Sequence, residues 1–503
     1  MEPRTLKYVA EACGGEIRRG SPALLVRRVC TDSRQIQPGD LFVALAGERF
    51  DGHDFMAQAA RAGAGATVAD RHRADAAVAP GALVAVDNTR TALGRLAARY
   101  RLDFALPVIA VGGSNGKTTT KELLAAVLRQ RFATLWSEAS FNNDIGVPLT
   151  LLRLEQAHGV AVLEAGTNHP GELAPLVRMI APRFGVITSL GREHLEFFGD
   201  LAGVVEEESR LAELLPAEGR LFLNGDSEWA GRVARRCAAP VVRVGTGERN
   251  DWRGQLLHVG ERGTTFRVSG PKATLNGEYQ MLLLGRHQVV NGLLALAVGT
   301  ELGLEPEELQ RGLADCQPLR QRLQSWETRG VRVLDDSYNA NADSMLAALQ
   351  TLRDMPCAGR RVAVLGDMAE LGPHSLAAHE EIGRRAAQLD VHTLFAVGKM
   401  AARLAGAARA AGMSHVFEFV EAAAAAEAVR SYVAVGDAVL IKASRVTRLE
   451  RVAESLRPAG EGTTESGWQA AAGGSATGLW RGRLERVAEA AEPGTVGGRF
   501  SVD

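Results

Sequence analysis

The sequence predicts an α/β protein of three domains, and three observations carry that reading. Between residues 107 and 226, short apolar runs alternate with helical stretches: "PVIAV", "KELLAAVLRQR", "VAVLEAG", "FGVITSL" and "RLFLNG". That alternation is the strand, crossover helix, strand rhythm of a parallel sheet. A second set appears at "RVAVLGD" (361–367), "TLFAVGK" (393–399) and "DAVLIKAS" (437–444), with alanine-rich helical segments between, and reads as a separate α/β unit. The third observation is length. At 503 residues the chain exceeds one ordinary core, and at about 150 residues per domain it has room for about three.

In chain order, residues 1–104 form a small N-terminal α/β domain. Its segment "TDSRQIQPGDLFVALAGERFDGHDF" is rich in turns, with Pro38-Gly39 and Phe50-Asp51-Gly52 marking tight ones around a short apolar run. Residues 105–317 hold the first parallel-sheet set and residues 318–458 the second. From 459 to 503 the chain is rich in Gly, Ala, Thr and Glu, with one short helical stretch at "LERVAEAAE", and reads as a disordered or loosely attached tail. There is no solenoid-type repeat.

Composition narrows the function classes. With 46% hydrophobic and 23% charged residues and a net charge of −1, nothing global draws the chain to nucleic acid or to an anionic membrane. Five cysteines, Cys13, Cys30, Cys237, Cys316 and Cys357, lie far apart without C-x-x-C pairing. That argues against a zinc knuckle and a disulfide framework, and they read as buried free thiols. The first residues, "MEPRTLKYVAEACGG", carry charges and no apolar signal core, and no apolar run approaches a membrane span. The expectation is a cytoplasmic monomer without a nucleic-acid partner.

The sharpest local signal is "VIAVGGSNGKTTTKELL": a strand, a glycine-rich turn, a lysine, then hydroxyls opening a helix with Leu123, Leu124, Val127 and Leu128 on one stripe. Backbone N–H groups freed by Gly113 and Gly116 can surround phosphate oxygens, the helix N-terminus adds positive potential, and Lys117 and Thr118 can meet phosphate and Mg²⁺. A glycine-rich turn with an incidental lysine is the bland alternative, and the strand before and helix after favour a nucleotide site. The general pattern G-x-x-x-x-G-K-[ST] puts its first glycine at position 111, which here is Val111. The loop is therefore not the common kinase or GTPase version.

Glu164 ends the strand in "VAVLEAGTNHPGE", and in an open parallel sheet the carboxyl ends of strands face the ligand crevice. It is either a candidate metal ligand or an ordinary strand-end acid in water. The next strand, "FGVITSL", leads to His194 through Gly191, Arg192 and Glu193. A lone histidine there reads as structural, whereas polar groups at successive strand ends beside a phosphate loop read as a site. The acidic run "VVEEES", Val204 to Ser209, reads by itself as a solvated helix face.

These residues, with "FNNDIGVPLTLL", "HLEFFGDLAGV", "GRHQVVN", "VLDDSYNANADSM", "VLGDMAELG" and "LIKASR", give the chain a resemblance to the Mur ligases over about residues 20 to 455. The short loop G-[ST]-N-G-K-T is typical of Mur and folylpolyglutamate ligases, while "DDSYNAN" and "GDMAELG" resemble the branch that adds D-alanyl-D-alanine. The aspartate-tyrosine-alanine-histidine run usual in the branch adding the third residue is absent. The resemblance implies an N-terminal substrate domain, a central P-loop ATPase-like domain and a C-terminal Rossmann-like domain. It also implies ATP-dependent amide synthesis through an acyl phosphate, with UDP-MurNAc-tripeptide and D-alanyl-D-alanine as substrates and ATP and Mg²⁺ as cofactors.

Residue roles follow from the same resemblance. Gly113, Ser114, Asn115, Gly116, Lys117, Thr118 and Thr119 cradle phosphate, and Thr118 and Glu164 hold Mg²⁺ between β- and γ-phosphates. In the family a second Mg²⁺ is held by the histidine matching His194 and by a carbamylated lysine fourteen positions later, where this chain has Glu208. Glu208 is expected to supply that carboxylate directly or through water, with Glu206 and Glu207 on the solvated face. His287 and Asn291 belong to the adenine segment, Arg322 reaches phosphate, and Asp336 accepts ribose hydroxyls. Asn339 and Asn341 shape the dipeptide or phosphate side, Ser33 and Arg34 receive the uridine diphosphate end, and Asn142 and Asn143 lie near the reacting centre or form a simple turn. Because ATP would touch two domains, closure is expected, with hinges at residues 103–107 and 316–320 around Pro107 and Pro318. The rivals are a related ligase adding a single amino acid and a non-catalytic ATP-binding homologue.

Overall fold

Three consecutive stretches of chain each build a main sheet of their own, and the first adds a two-stranded antiparallel pair, Arg4–Thr5 with Leu25–Val26. In the computed structural model, which describes residues 1–47, 50–76 and 81–457, the first main sheet is five-stranded in the order Glu16–Arg19, Ala82–Val86, Ala66–Asp70, Leu41–Val43, Val29–Cys30. Its inner pairs are parallel and its first pair antiparallel. The expected turn at Pro38-Gly39 precedes Leu41–Val43, with Gly39 in the left-handed region at φ 87°. Helices Leu6–Cys13 and Thr89–Arg101 cover one face, burying Leu6, Val9, Leu93 and Leu96.

The second sheet is the one that positions the site. Its nine strands run Gly277–Met281, Gly263–Ser269, Trp252–Gly260, Val241–Gly245, Arg220–Asn224, Phe184–Ile187, Val108–Gly112, Val160–Glu164, Thr134–Trp136. From Trp252–Gly260 to Thr134–Trp136 all pairs are parallel. Val108–Gly112 lies between Val160–Glu164 and Phe184–Ile187, so the chain leaves three adjacent strand ends at residues 113, 165 and 188. This is the crevice that an open α/β sheet offers to a ligand.

Alternation along Val108–Gly112 buries that strand on both faces. Val108 and Ala110 join the core under Leu93, Leu96 and Leu176, while Ile109 and Val111 join the core under Leu123, Leu124, Val127 and Leu293, and all four are fully buried. Successive side chains of a strand point to opposite faces, and here helices cover both. Each such burial contributes about 1.5–3 kcal/mol for a Val or Leu side chain relative to exposure, so the loop that follows is anchored at its base.

The parallel expectation covers only part of this sheet. Trp252–Gly260, Gly263–Ser269 and Gly277–Met281 continue it as an antiparallel meander. Thr264, Phe266 and Val268 alternate inward, and Gly263 turns the first hairpin at φ 98°.

The third sheet has six strands: Gln324–Thr328, Val331–Asp335, Ala438–Lys442, Arg361–Gly366, Thr393–Val397, His415–Phe419. The three runs read from sequence are its centre, and only the Gln324–Thr328 edge is antiparallel. All five cysteines are free thiols; Cys13, Cys30 and Cys316 are buried as expected, but Cys237 and Cys357 are only half-buried. Among the described residues no helix is long and apolar enough to cross a membrane. The tail reading for 459–503, with its short helix, falls outside the described residues.

Candidate functional site

A cavity of about 630 Å³ opens above the three strand ends and is walled on its other side by residues 322–323, most of 336–348, 369–370 and 442 of the C-terminal stretch. That volume suits a nucleotide-sized ligand. The loop between Val108–Gly112 and the helix Lys117–Leu128 forms its floor. Gly113 and Gly116 sit at φ 111° and 86°, where side chains are strained. Space forbids one as well: a Cβ at Gly113 would stand 2.5 Å from the Thr188 hydroxyl, and one at Gly116 2.8 Å from Oδ1 of Asn291.

Lys117 Nζ donates to the carbonyls of Gly113 at 2.5 Å and Ser114 at 3.2 Å, and stands 3.3 Å from Oε2 of Glu193. Burial alone would push its ammonium toward the neutral form. The carboxylates of Glu193, Glu208 and Glu164 outweigh that and hold its pKa above the usual lysine value.

On the next strand end, Glu164 Oε1 accepts from the Thr118 hydroxyl at 3.2 Å and from Nδ2 of Asn142 at 2.9 Å. Its Oε2 is buried without a partner. An orphaned carboxylate oxygen beside a hydroxyl is hard-oxygen chemistry, and it fits Mg²⁺, which takes one or two protein ligands and completes its shell with phosphate and water. Across the loop, His194 is held at φ 48° and pairs through Nδ1 with Oε2 of Glu370 at 2.5 Å.

The C-terminal wall contributes Arg322, whose guanidinium lies 4.0 Å over the Tyr338 ring and whose Nη2 is 3.5 Å from the Thr118 hydroxyl. Asp336 accepts from the Leu323 N–H at 3.1 Å and is paired with Lys442 at 2.6 Å, while Lys442 also donates to the Asn339 carbonyl at 2.9 Å. Asn341 Nδ2 donates to Oδ1 of Asn115 at 2.9 Å, and its own Oδ1 caps the helix Ala342–Asp354 through the Ser344 N–H. His287 lines the cavity from the start of the helix Gln288–Glu301, where burial pushes its imidazole down to about 4 and keeps it neutral. Gln288 links it to Asn291, with contacts of 3.0 and 2.8 Å.

The structure gathers Ser114, Asn115, Gly116, Lys117, Thr118, Thr119, Asn142, Glu164, His194, His287, Asn291, Arg322, Asp336, Asn339 and Asn341 around this one cavity. Ser33, Arg34, Gly113 and Asn143 do not line it. The guanidinium of Arg34 pairs with Asp32 at 2.8 Å on the surface, and Oδ1 of Asn143 accepts from the Gly146 N–H at 2.9 Å to start the helix Gly146–Leu151, which is the turn reading of that residue.

The three glutamates of "VVEEES" point three ways, because residues on the helix Leu201–Glu213 are about 100° apart. Glu206 is solvated as expected, in ion pairs with Arg236, Arg210 and Arg232. Glu207 corrects its expectation. It is buried, accepting from the N–H groups of Gly171 at 2.9 Å and Leu173 at 2.7 Å, where it caps the helix Leu173–Ile180. Glu208 is fully buried beneath the phosphate loop, its Oε2 accepting from the Gly113 N–H at 2.7 Å, and it does not line the cavity. Burial pushes its carboxyl up to about 8.

Glu193, Asp343, Glu370 and Lys442 also line the cavity and Arg192 pairs with Asp343, although the sequence assigns none of the five a role. Glu193 was within reach, standing beside His194 in the same strand-end loop. Glu370 lies within the "VLGDMAELG" run, but the run assigns it no role, since its left-handed turn at φ 59° is brought to His194 only by the packing of two sheets.

Family models match most of the described chain: "Mur ligase family, catalytic domain" over residues 25–101, "Mur ligase middle domain" over 111–299, and "Mur ligase, glutamate ligase domain" over 321–445. The UDP-N-acetylmuramoyl-tripeptide--D-alanyl-D-alanine ligase of Bacillus subtilis (strain 168) is 35% identical, covering 91% of this chain and 99% of its own. The ligase of that name from Escherichia coli (strain K12) is 36% identical over the same shares. Among solved structures, MurF from Acinetobacter baumannii superposes with a TM-score of 0.83 at 31% identity, covering 91% of this chain and 99% of that one. MurF ligase from Thermotoga maritima in complex with ADP gives 0.76 at 27% identity, covering 86% and 97%.

Proposed function

The chain belongs to the Mur ligase family, and on that premise we propose that it joins D-alanyl-D-alanine to UDP-N-acetylmuramoyl-tripeptide at the expense of ATP, giving the pentapeptide precursor of peptidoglycan, ADP and phosphate. The observation that carries the reading is the single cavity in which a phosphate-type loop, an orphaned oxygen of Glu164 and an arginine of the C-terminal sheet converge. The ADP held by the Thermotoga maritima relative supports ATP as the nucleotide here.

The reaction transfers a phosphoryl group to the tripeptide carboxylate, and the free amine of the dipeptide then displaces phosphate from the acyl phosphate. Charge is the obstacle in the first step, and Lys117 and Arg322 offset it from opposite walls of the cavity. Mg²⁺, held by Thr118 and Glu164 with His194 on the far side of the loop, would add further charge neutralisation on the phosphate oxygens. Asn142 fixes the orientation of Glu164, and Glu208 fixes the loop by holding the Gly113 N–H. Neutral His287, with Asn291, faces the base, and Asp336, oriented by Lys442, faces the ribose. Asn339 and Asn341 border the dipeptide side. Ser33 and Arg34, away from the cavity, suit the uridine diphosphate end of a long substrate whose peptide carboxylate must reach Lys117. Its substrates are nucleotide-linked and water-soluble, which favours the cytoplasm, and one chain supplies every residue invoked, which favours a monomer.

The test is ligation with UDP-MurNAc-tripeptide, ATP and Mg²⁺, comparing D-alanyl-D-alanine, single amino acids and no amine. Phosphate release and a product heavier by one dipeptide less one water are expected with the dipeptide alone. Equal use of a single amino acid would favour the neighbouring branch, and ATP binding without release would favour a non-catalytic homologue.

A further inference from the structure

Two carboxylates other than Glu164 lie within electrostatic reach of Lys117, and they are placed differently. Glu208 sits below the strand–loop junction: a Cβ on Gly112 would stand 3.0 Å from its Oε2, which is already bonded to the Gly113 N–H. Its Oε1 is buried without a partner as well, but the residue is fully buried and does not line the cavity. Glu193 lines the cavity itself. Its Oε2 stands 3.3 Å from Nζ of Lys117 and 3.9 Å from Nε2 of His194, and its Oε1 has no partner although the residue is only 5% exposed.

A buried carboxylate oxygen left without a donor costs about 1–3 kcal/mol or more, and a site that retains one has a use for it. Glu164 presents the matching feature on the neighbouring strand end, with its own Oε2 orphaned. Of the three orphaned carboxylate oxygens around the loop, on Glu164, Glu193 and Glu208, only those of Glu164 and Glu193 belong to residues that line the cavity. His194 offers a nitrogen next to Glu193, its ring fixed from behind by Glu370. Among the described residues no three acids, cysteines or histidines form a closed metal cage. An open pair of donors is what Mg²⁺ accepts when substrate oxygens and water fill the remaining positions.

We propose that Glu193 is a cation-side carboxylate of this site, binding the divalent ion together with His194 on the flank opposite Glu164, and that Glu208 acts behind the loop as its positioning residue. The proposal rests on the nucleotide reading of the cavity. It does not need the identity of the amine, so failure of D-alanyl-D-alanine ligation in the unaltered enzyme would sink the proposed function and leave this test readable.

The experiment measures Mn²⁺ binding by electron paramagnetic resonance, on full-length protein saturated with a non-hydrolysable ATP analogue, for the unaltered chain and for Glu193→Gln, Glu208→Gln and Glu206→Gln. Glu193→Gln should weaken Mn²⁺ binding at least about tenfold, with altered hyperfine lines for the weakened ion, while Glu208→Gln stays within about threefold and Glu206→Gln is unchanged. Unaltered Mn²⁺ affinity in Glu193→Gln would overturn the proposal, and so would equal losses in Glu193→Gln and Glu208→Gln, which would point to general electrostatics. Should Glu193→Gln fail to fold, Glu193→Asp decides: a shortened carboxylate of the same charge should still weaken Mn²⁺ at least several-fold, and full affinity there would overturn it.

Discussion

Lys117 holds together two jobs that a mutation will separate. Its ammonium ties the carbonyls of Gly113 and Ser114, and it also faces the transferring phosphoryl group in the proposed reaction. Lys117→Met should therefore lower single-turnover ADP formation by about 10²–10³-fold, the range seen when one preorganised charge-stabilising group is removed. A loss below tenfold would mean the lysine is structural only. Asp335 tests burial without touching the cavity. Its carboxyl is pushed up to about 6 by burial, with Asp336 adding to the effect against the hydrogen bonds from Ser337. A raised folded-state pKa means that the stability of the neutral form is fully present below about pH 4 and is lost as pH rises through 6. Asp335→Asn, which cannot ionise, should match the unaltered chain near pH 4 and gain on it toward pH 7.5, by at most about 3 kcal/mol. A denaturant series that shows a pH-independent difference would contradict that cause.

At the scale of elements, the helix Leu201–Glu213 is the clearest case of what pattern can and cannot show. Glu207→Ala removes the acceptor for two N–H groups at a buried helix start and should cost about 1–3 kcal/mol in thermal unfolding. Glu206→Ala, on an exposed ion-paired face, should cost less than about 1 kcal/mol. Similar losses at both positions would undo the assignment. In sequence the two residues look alike, because the shorter hydrogen bonds to Glu207 come from backbone N–H groups of Gly171 and Leu173, which carry no side-chain signal, with the Thr167 hydroxyl at 3.5 Å beside them. The strand, loop and helix around Gly113 to Thr119 were legible for the opposite reason: glycine positions, lysine and apolar stripe all lie within one short segment, and local rules read them. The antiparallel meander from Trp252 to Met281 was not, since its inward residues Thr264, Phe266 and Val268 alternate with polar ones over one short run, and the glycines at 260, 263, 270 and 277 that flank its strands read as loop. Asn143 shows the remaining difficulty, an asparagine equally suited to a ligand or to a helix start until the Gly146 N–H is seen to take it.

For the whole molecule, the segment from Gly191 to Gly199, which includes the short helix Leu195–Phe198, is the clasp between the second and third sheets. Arg192 binds Asp343 through its backbone N–H and its guanidinium, at 2.7 and 2.9 Å, and binds Glu381 at 2.7 Å. His194 meets Glu370, His374 meets the Gly199 carbonyl, and Asn341 meets Asn115. These contacts close the cavity from above while Pro107 and Pro318 lie at the linkers, so Arg192→Ala should favour the open arrangement. The expected result is a KM for ATP raised about tenfold with a smaller change in kcat, and a larger radius of gyration in solution scattering without nucleotide. An unchanged radius and KM would show that the clasp does not govern closure. The most direct measurement of the account as a whole follows one oxygen. With ¹⁸O in the terminal carboxylate of the tripeptide, D-alanyl-D-alanine and ATP, the released phosphate should carry one ¹⁸O atom per amide bond made, because the carboxylate oxygen that attacks phosphorus leaves with it. Amide formation with unlabelled phosphate would contradict an acyl-phosphate route through this cavity.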